Sequence, residues 1–109
     1  MTKRFETPDP EAEMICRSRV SCWDLGPDGP LDRYTAVFLD FAFGSRDGVI
    51  RIPYLRMNDM PASPTGFRQH DIITERCYLL GRESLGKRIR FADLPDECRR
   101  AVEADLAED

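Results

Sequence analysis

The residues with the widest chemical range are few. His70 is the single histidine, so any imidazole chemistry must use it. An imidazole takes or gives a proton near neutral pH, which suits a general base. Gln69 beside it supplies an amide, and Arg33, Lys87 and Arg88 supply cations at the ends of expected elements. Arg33, Gln69, His70, Lys87 and Arg88 are therefore the candidate binding residues. Guanidinium forks grip phosphate or carboxylate in a bidentate manner, so the set suits a nucleotide or a small anion. The competing reading is structural. In it, Gln69-His70 pins a long loop through hydrogen bonds to backbone groups, and Asp32 pairs with Arg33 or Arg88. No serine or cysteine sits in a nucleophile motif, so no catalytic residue is assigned. A hydrolase with His70 as base is the least favoured function. Gly81 and Gly86-Lys87 have the G-x4-G-K spacing of a phosphate loop. That motif needs Ser or Thr next and then a helix. Arg88 and a strand-like stretch follow instead, so a turn is expected.

The four cysteines, Cys16, Cys22, Cys77 and Cys98, are separated by 5, 54 and 20 residues, which fits no zinc-ligand spacing. The first residues, Met1 to Pro8, lack the apolar core of a signal peptide, so a cytoplasmic location and free thiols are expected. Cys16, Cys22 and Cys98 read as small buried apolar residues. No metal and no cofactor are expected.

These residues must be carried by a chain of 109 residues, 41% hydrophobic and 33% charged. Such a composition excludes a collagen-like or low-complexity chain and argues against full disorder, and no apolar run reaches the ~20 residues of a membrane span. The formal charge of −4 is uneven. Residues 33–90 hold ten basic and six acidic groups, a net of +4, between ends with a net of −3 and −5. Fourteen of the 16 basic residues are arginine. An arginine-lined anion surface is one reading; ion pairing between the basic middle and the acidic tail is the other. Duplex nucleic acid is disfavoured, because it needs a concentrated basic footprint.

Residues 1–13 read as a flexible arm and 14–109 as one globular domain. Alternation from Met14 to Trp23 predicts a half-buried strand. Arg33–Phe41, apolar on both faces, predicts a central strand. Asp47-Gly48 predicts a hairpin, with Val49–Met57 as the return strand, and Pro53 marks an edge or a bulge. Asn58–Gln69 reads as a long Pro-rich loop. Asp71–Leu80 fits either a strand or a short helix capped by Asp71. Lys87–Phe91 reads as a short exposed strand. Asp93-Leu94-Pro95-Asp96-Glu97 starts a helix, whose stripe is Cys98, Val102 and Leu106. The fold class is α+β: a small, mostly antiparallel sheet of three to five strands, a C-terminal helix on one face, and the long loop. Pro53 and the charged Lys87–Arg90 stretch resemble edge protection, which favours a monomer.

Three stretches resemble a group of small proteins associated with phages and mobile elements. They are Asp32-Arg33-Tyr34-Thr35-Ala36-Val37-Phe38, the loop Tyr54-Leu55-Arg56-Met57…Pro61…Pro64…Gly66-Phe67…Gln69-His70, and Leu85-Gly86-Lys87-Arg88-Ile89…Asp93-Leu94-Pro95. The likeness spans roughly residues 20–106. Where that group carries an Asp-Asn-Gly-Gly stretch before the first motif, this chain has Trp23 to Gly29, so a site built on those glycines is not implied. The resemblance implies a shared fold unit and cellular setting, but no reaction. The leading expectation is a non-enzymatic accessory protein of a phage or mobile element that binds a host or phage protein. The alternative is the nucleotide or anion binder. A stacking platform of Trp23, Tyr34, Tyr54 and Phe67 for single strands is weighed against the same rings forming a core.

Overall fold

A computed structural model describes residues 12–27 and 32–107. Seven strands form one antiparallel sheet: β1 (Glu13–Ile15), β2 (Ser18–Asp24), β3 (Tyr34–Phe38), β4 (Phe43–Gly44), β5 (Ile50–Met57), β6 (Arg68–Thr74) and β7 (Lys87–Ile89). That exceeds the expected three to five strands, although the α+β class holds. Register explains the excess. β3 occupies one flank of β2, so β1 and β7 lie end to end on the other. β6 occupies one flank of β5, so β3 and β4 share the other. The seven strands thus fill five lanes, and short strands in shared lanes escape a count of apolar runs.

α2 (Asp96–Ala107) covers one face of the sheet. Its Cys98, Ala101, Val102 and Leu106 pack on Val20, Ala36, Leu55 and Met57. Acidic Asp96 and Glu97 sit in its first turn, at the positive end of the helix dipole. A second helix, α1 (Glu75–Gly81), covers part of the opposite face. Its Tyr78 is fully buried among Trp23, Val37, Leu39 and Ile52. The two faces separate because alternate residues point to opposite sides of a strand. No helix among the described residues is long and apolar enough to cross a membrane.

Several expectations are corrected. The strand expected from Met14 is a hairpin, turning at Cys16-Arg17 with φ of 50° and 68°. A two-residue turn of this kind needs positive φ at both positions and is usually announced by Asn-Gly or Asp-Gly, so Cys-Arg hid it. Cys16 is consequently exposed, not buried. Pro53 lies in an interior strand, not at an edge. On its inner flank β3 pairing ends at Tyr54 and β4 pairing begins at Arg51, so Ile52 and Pro53 face the interruption made by a 3-10 turn at Leu39–Phe41. Asp71–Leu80 is strand and then helix, capped by Thr74, whose Oγ1 accepts from the Cys77 amide at 3.2 Å. Of the arm expected over 1–13, residues 1–11 lie outside the described residues; Ala12 packs beside the second cluster and Glu13 opens β1.

The long loop, 58–67, is tied by its own backbone. The amides of Asn58, Ser63 and Gly66 donate to Phe67, Met60 and Ser63 carbonyls.

Burial separates the four thiols. Cys22 and Cys98 are buried and Cys16 and Cys77 exposed. Desolvation pushes both buried thiols up to about 12. The reactive species is the thiolate, so an aromatic disulfide reagent titrates two thiols in the native protein and four after unfolding. Four fast thiols would contradict the packing. The sign of the pH effect follows: the unfolded chain loses these protons near pH ~8.5, before the folded chain does. Stability is therefore complete below that value and falls as pH rises through it toward about 12.

Candidate functional site

The five candidate binding residues do not converge. Gln69 and His70 lie on β6, one edge of the sheet; Lys87 and Arg88 lie on β7, the other edge. Arg33 is engaged by Asp24, with Nε to Oδ1 at 2.7 Å and Nη2 to Oδ2 at 3.0 Å, and lies over the Tyr34 ring. The Arg33 hydrogen bond, chiefly, holds the Asp24 carboxyl below its ordinary value. Arg88 stacks on Trp23 at 4.5 Å and donates to Ser21 Oγ at 3.1 Å. Asp32 pairs with Arg56 at 2.8 Å, rather than with Arg33 or Arg88. The stacking platform is likewise absent, since Trp23 and Tyr34 are buried and arginines lie over Trp23, Tyr34 and Phe67. The G-x4-G-K stretch is the end of α1, a 3-10 turn and β7.

His70 does not pin a loop to backbone groups. It stands on β6 beside Arg68, two residues earlier and so on the same face, and both reach Asp105 of α2. Arg68 Nη2 donates to Oδ1 at 2.7 Å, and His70 Nε2 to Oδ2 at 2.6 Å. Asp105 is 8% exposed, whereas 60% of the His70 side chain is exposed. This arrangement joins the basic middle of the chain to its acidic end. It holds the imidazole by Nε2. Yet no serine or cysteine hydroxyl or thiol is hydrogen-bonded to the ring among the described residues, so the geometry serves to fasten α2 to the edge strand. Asp105 was legible in principle: an acid three residues after Val102 falls on the apolar stripe of α2, where a lone carboxylate needs partners.

Two open hollows flank the end of the sheet where the β4–β5 hairpin meets the end of β6. One, of about 620 Å³, is lined by Phe43, Ser45, Arg46, Asp47, Arg51 and Ile72. The other, of about 420 Å³, is lined by Gly48, Val49, Ile50, Thr74, Glu75 and Arg76. Phe43 pairs with Arg51, and Pro53 with Ile72, so all four face the α2 side, beside the region α2 covers. Ile72 is 52% exposed and Phe43 36%. Arg51 is fixed in place by Asp47, Nη2 to Oδ2 at 3.0 Å, and by Ser45. Those bonds, with Arg51 first, hold the Asp47 carboxyl far below its usual range. The result is two partly exposed apolar side chains beside a guanidinium held by Asp47 and Ser45. The sequence does not show it, because Phe43 falls between the expected strand Arg33–Phe41 and the Asp47-Gly48 turn, and Ile72 is two strands away.

A third hollow, about 550 Å³, lies along β7 between Glu13, Lys87, Arg88, Ile89, Arg90 and Asp93. Its cations are countered by two carboxylates. Among the described residues no group of three or more His, Cys, Asp and Glu side chains is arranged to hold a metal ion. No protein-family model, curated protein or solved structure matches this chain.

Proposed function

We propose that this protein acts by binding another protein, as a non-enzymatic accessory protein of a phage or mobile element, and that the Phe43–Ile72 end of the sheet is its docking surface. The observation that carries this reading is that Phe43 and Ile72, both exposed, line one hollow on the same face of the sheet as the Asp47-paired Arg51. Arginine and aromatic residues dominate interface energetics when desolvated together. The engagement of Arg33, His70 and Arg88 within the fold supports the same reading. So does the likeness of three stretches to small mobile-element proteins.

The test is affinity capture on immobilised protein from the cells that carry the gene. Wild type retains one partner in stoichiometric amount. Phe43→Glu, at an exposed position, retains at least tenfold less while melting within a few degrees of wild type. Equal capture by the variant would overturn the assignment of the surface.

A second reading, a nucleotide or small-anion binder, rests on Lys87, Arg88 and Arg90 around the β7 hollow. Glu13 and Asp93 on the same walls weigh against it. A binder of this kind would gain melting temperature in a nucleotide panel; the protein-docking reading expects no shift.

A further inference from the structure

The outer flank of β6 is open among the described residues, while its inner flank pairs with β5 without a break from Arg68↔Met57 to Thr74↔Arg51. Natural sheets blunt their edges with short strands, proline or charge. The opposite edge obeys this rule: β1 and β7 have three residues each, and β7 carries Lys87 and Arg88. β6 has seven residues and no proline; its charged Arg68 and Asp71 lie in the N-terminal part, and its C-terminal part is Ile72-Ile73-Thr74. Ile72, the most exposed large hydrophobic residue in the sheet after Met14, sits in that C-terminal part.

We propose that two copies of this chain pair through β6, antiparallel, about a two-fold axis that sets Ile72 beside its own copy, extending one sheet across both. A two-fold axis normal to the sheet keeps each face on its own side, so residues of equal parity must oppose one another. Three registers then overlap the strand well. An axis at Asp71 sets two carboxylates directly opposite, which is destabilising. An axis at His70 sets two imidazoles opposite and the Arg68 guanidinium against Ile72. An axis at Ile72 opposes Ile72 with Ile72, Asp71 with Ile73, and His70 with Thr74, with no like charges facing. It also covers the side of Ile72 that faces away from β5 while leaving its outer face open, so the two Phe43–Ile72 surfaces join into one wider surface. This pairing departs from the monomer expected from the sequence, which rested on Pro53 and the charged Lys87–Arg90 stretch as edge protection. It uses the backbone flank of β6, whereas the docking surface uses the sheet face, and its test needs no partner.

The test uses the full chain. Native mass spectrometry finds a dimer, and Ile72→Lys reduces its population at least tenfold. With Cys16 and Cys77 both changed to serine, Ile72→Cys forms a disulfide-linked dimer under mild oxidation, and His70→Cys and Asp71→Cys form several-fold less. A monomer at every concentration overturns the proposal. So does a dimer indifferent to Ile72→Lys, or cross-linking that peaks at position 70 or 71.

Discussion

Gly86→Ala lowers the unfolding free energy by about 4 kcal/mol, as the sum of two costs. Gly86 has φ of +108° and ψ of −149°, a region open essentially to glycine alone. Leaving it costs on the order of 1–3 kcal/mol. A Cβ there would also stand 2.4 Å from the Asp24 carbonyl oxygen, 2.7 Å from its carbon and 2.9 Å from Leu25 Cα. All three are backbone atoms, so no side chain can swing aside, and forced overpacking adds roughly 1–3 kcal/mol. Because Gly86 opens β7, relief of the clash requires moving β7 away from β2 or distorting the chain after Asp24. Gly48→Ala is the control: it has φ of +77° but nothing within 4 Å of the added atom, so it loses only the conformational part, about 1–2 kcal/mol. Chemical denaturation of the two variants side by side checks this. Equal losses would contradict the close approach of Gly86 to Asp24.

Tyr78→Ala is expected to cost about 3–5 kcal/mol, the range for truncating a large buried ring. That is a large part of the 5–15 kcal/mol that holds a typical domain together. Tyr78 is fully buried and is the residue by which the seven-residue α1 grips the sheet. A helix so short has little stability of its own, so losing the ring frees α1 and uncovers Trp23. The chain has one tryptophan, so its emission shifts to the red in the native baseline as well as on unfolding. Leu80→Ala, on the same helix but 72% exposed, changes stability by less than about 0.5 kcal/mol. A Tyr78→Ala protein with wild-type stability and emission would show that α1 does not depend on this contact.

The elements legible in the sequence were those with a strong local signal. The stripe Cys98, Val102, Leu106 predicted α2, Arg33–Phe41 predicted an interior strand, which is observed at Tyr34–Phe38, and Asp47-Gly48 predicted the β4–β5 hairpin. What escaped depended on partners distant in the chain. The turn at Cys16-Arg17 uses residues without a turn signature. Pro53 is tolerated inside the sheet only because the neighbouring lane is interrupted there. The start of β6 was read as loop because its first three side chains, Arg68, Gln69 and His70, are exposed and polar or charged, without the alternation of a half-buried strand. The candidate site suffered most. Arg33, His70 and Arg88 were visible as cations or as a lone imidazole, but their partners Asp24, Asp105 and Trp23 lie 9, 35 and 65 positions away. The placing of Phe43 and Ile72 on one hollow required the β4–β5 and β5–β6 registers, which no local pattern supplies.

The claim at the centre of this account is that the Phe43 end of the sheet meets another protein. Its most direct measurement is photo-cross-linking in the cells that carry the gene, with a benzophenone amino acid at position 43 and, as control, at the exposed Ala62 in the 58–67 loop. A docking surface at this end of the sheet yields a discrete product containing a second, different protein from position 43 and none from position 62. No such product at 43, or the same product at both positions, would contradict it.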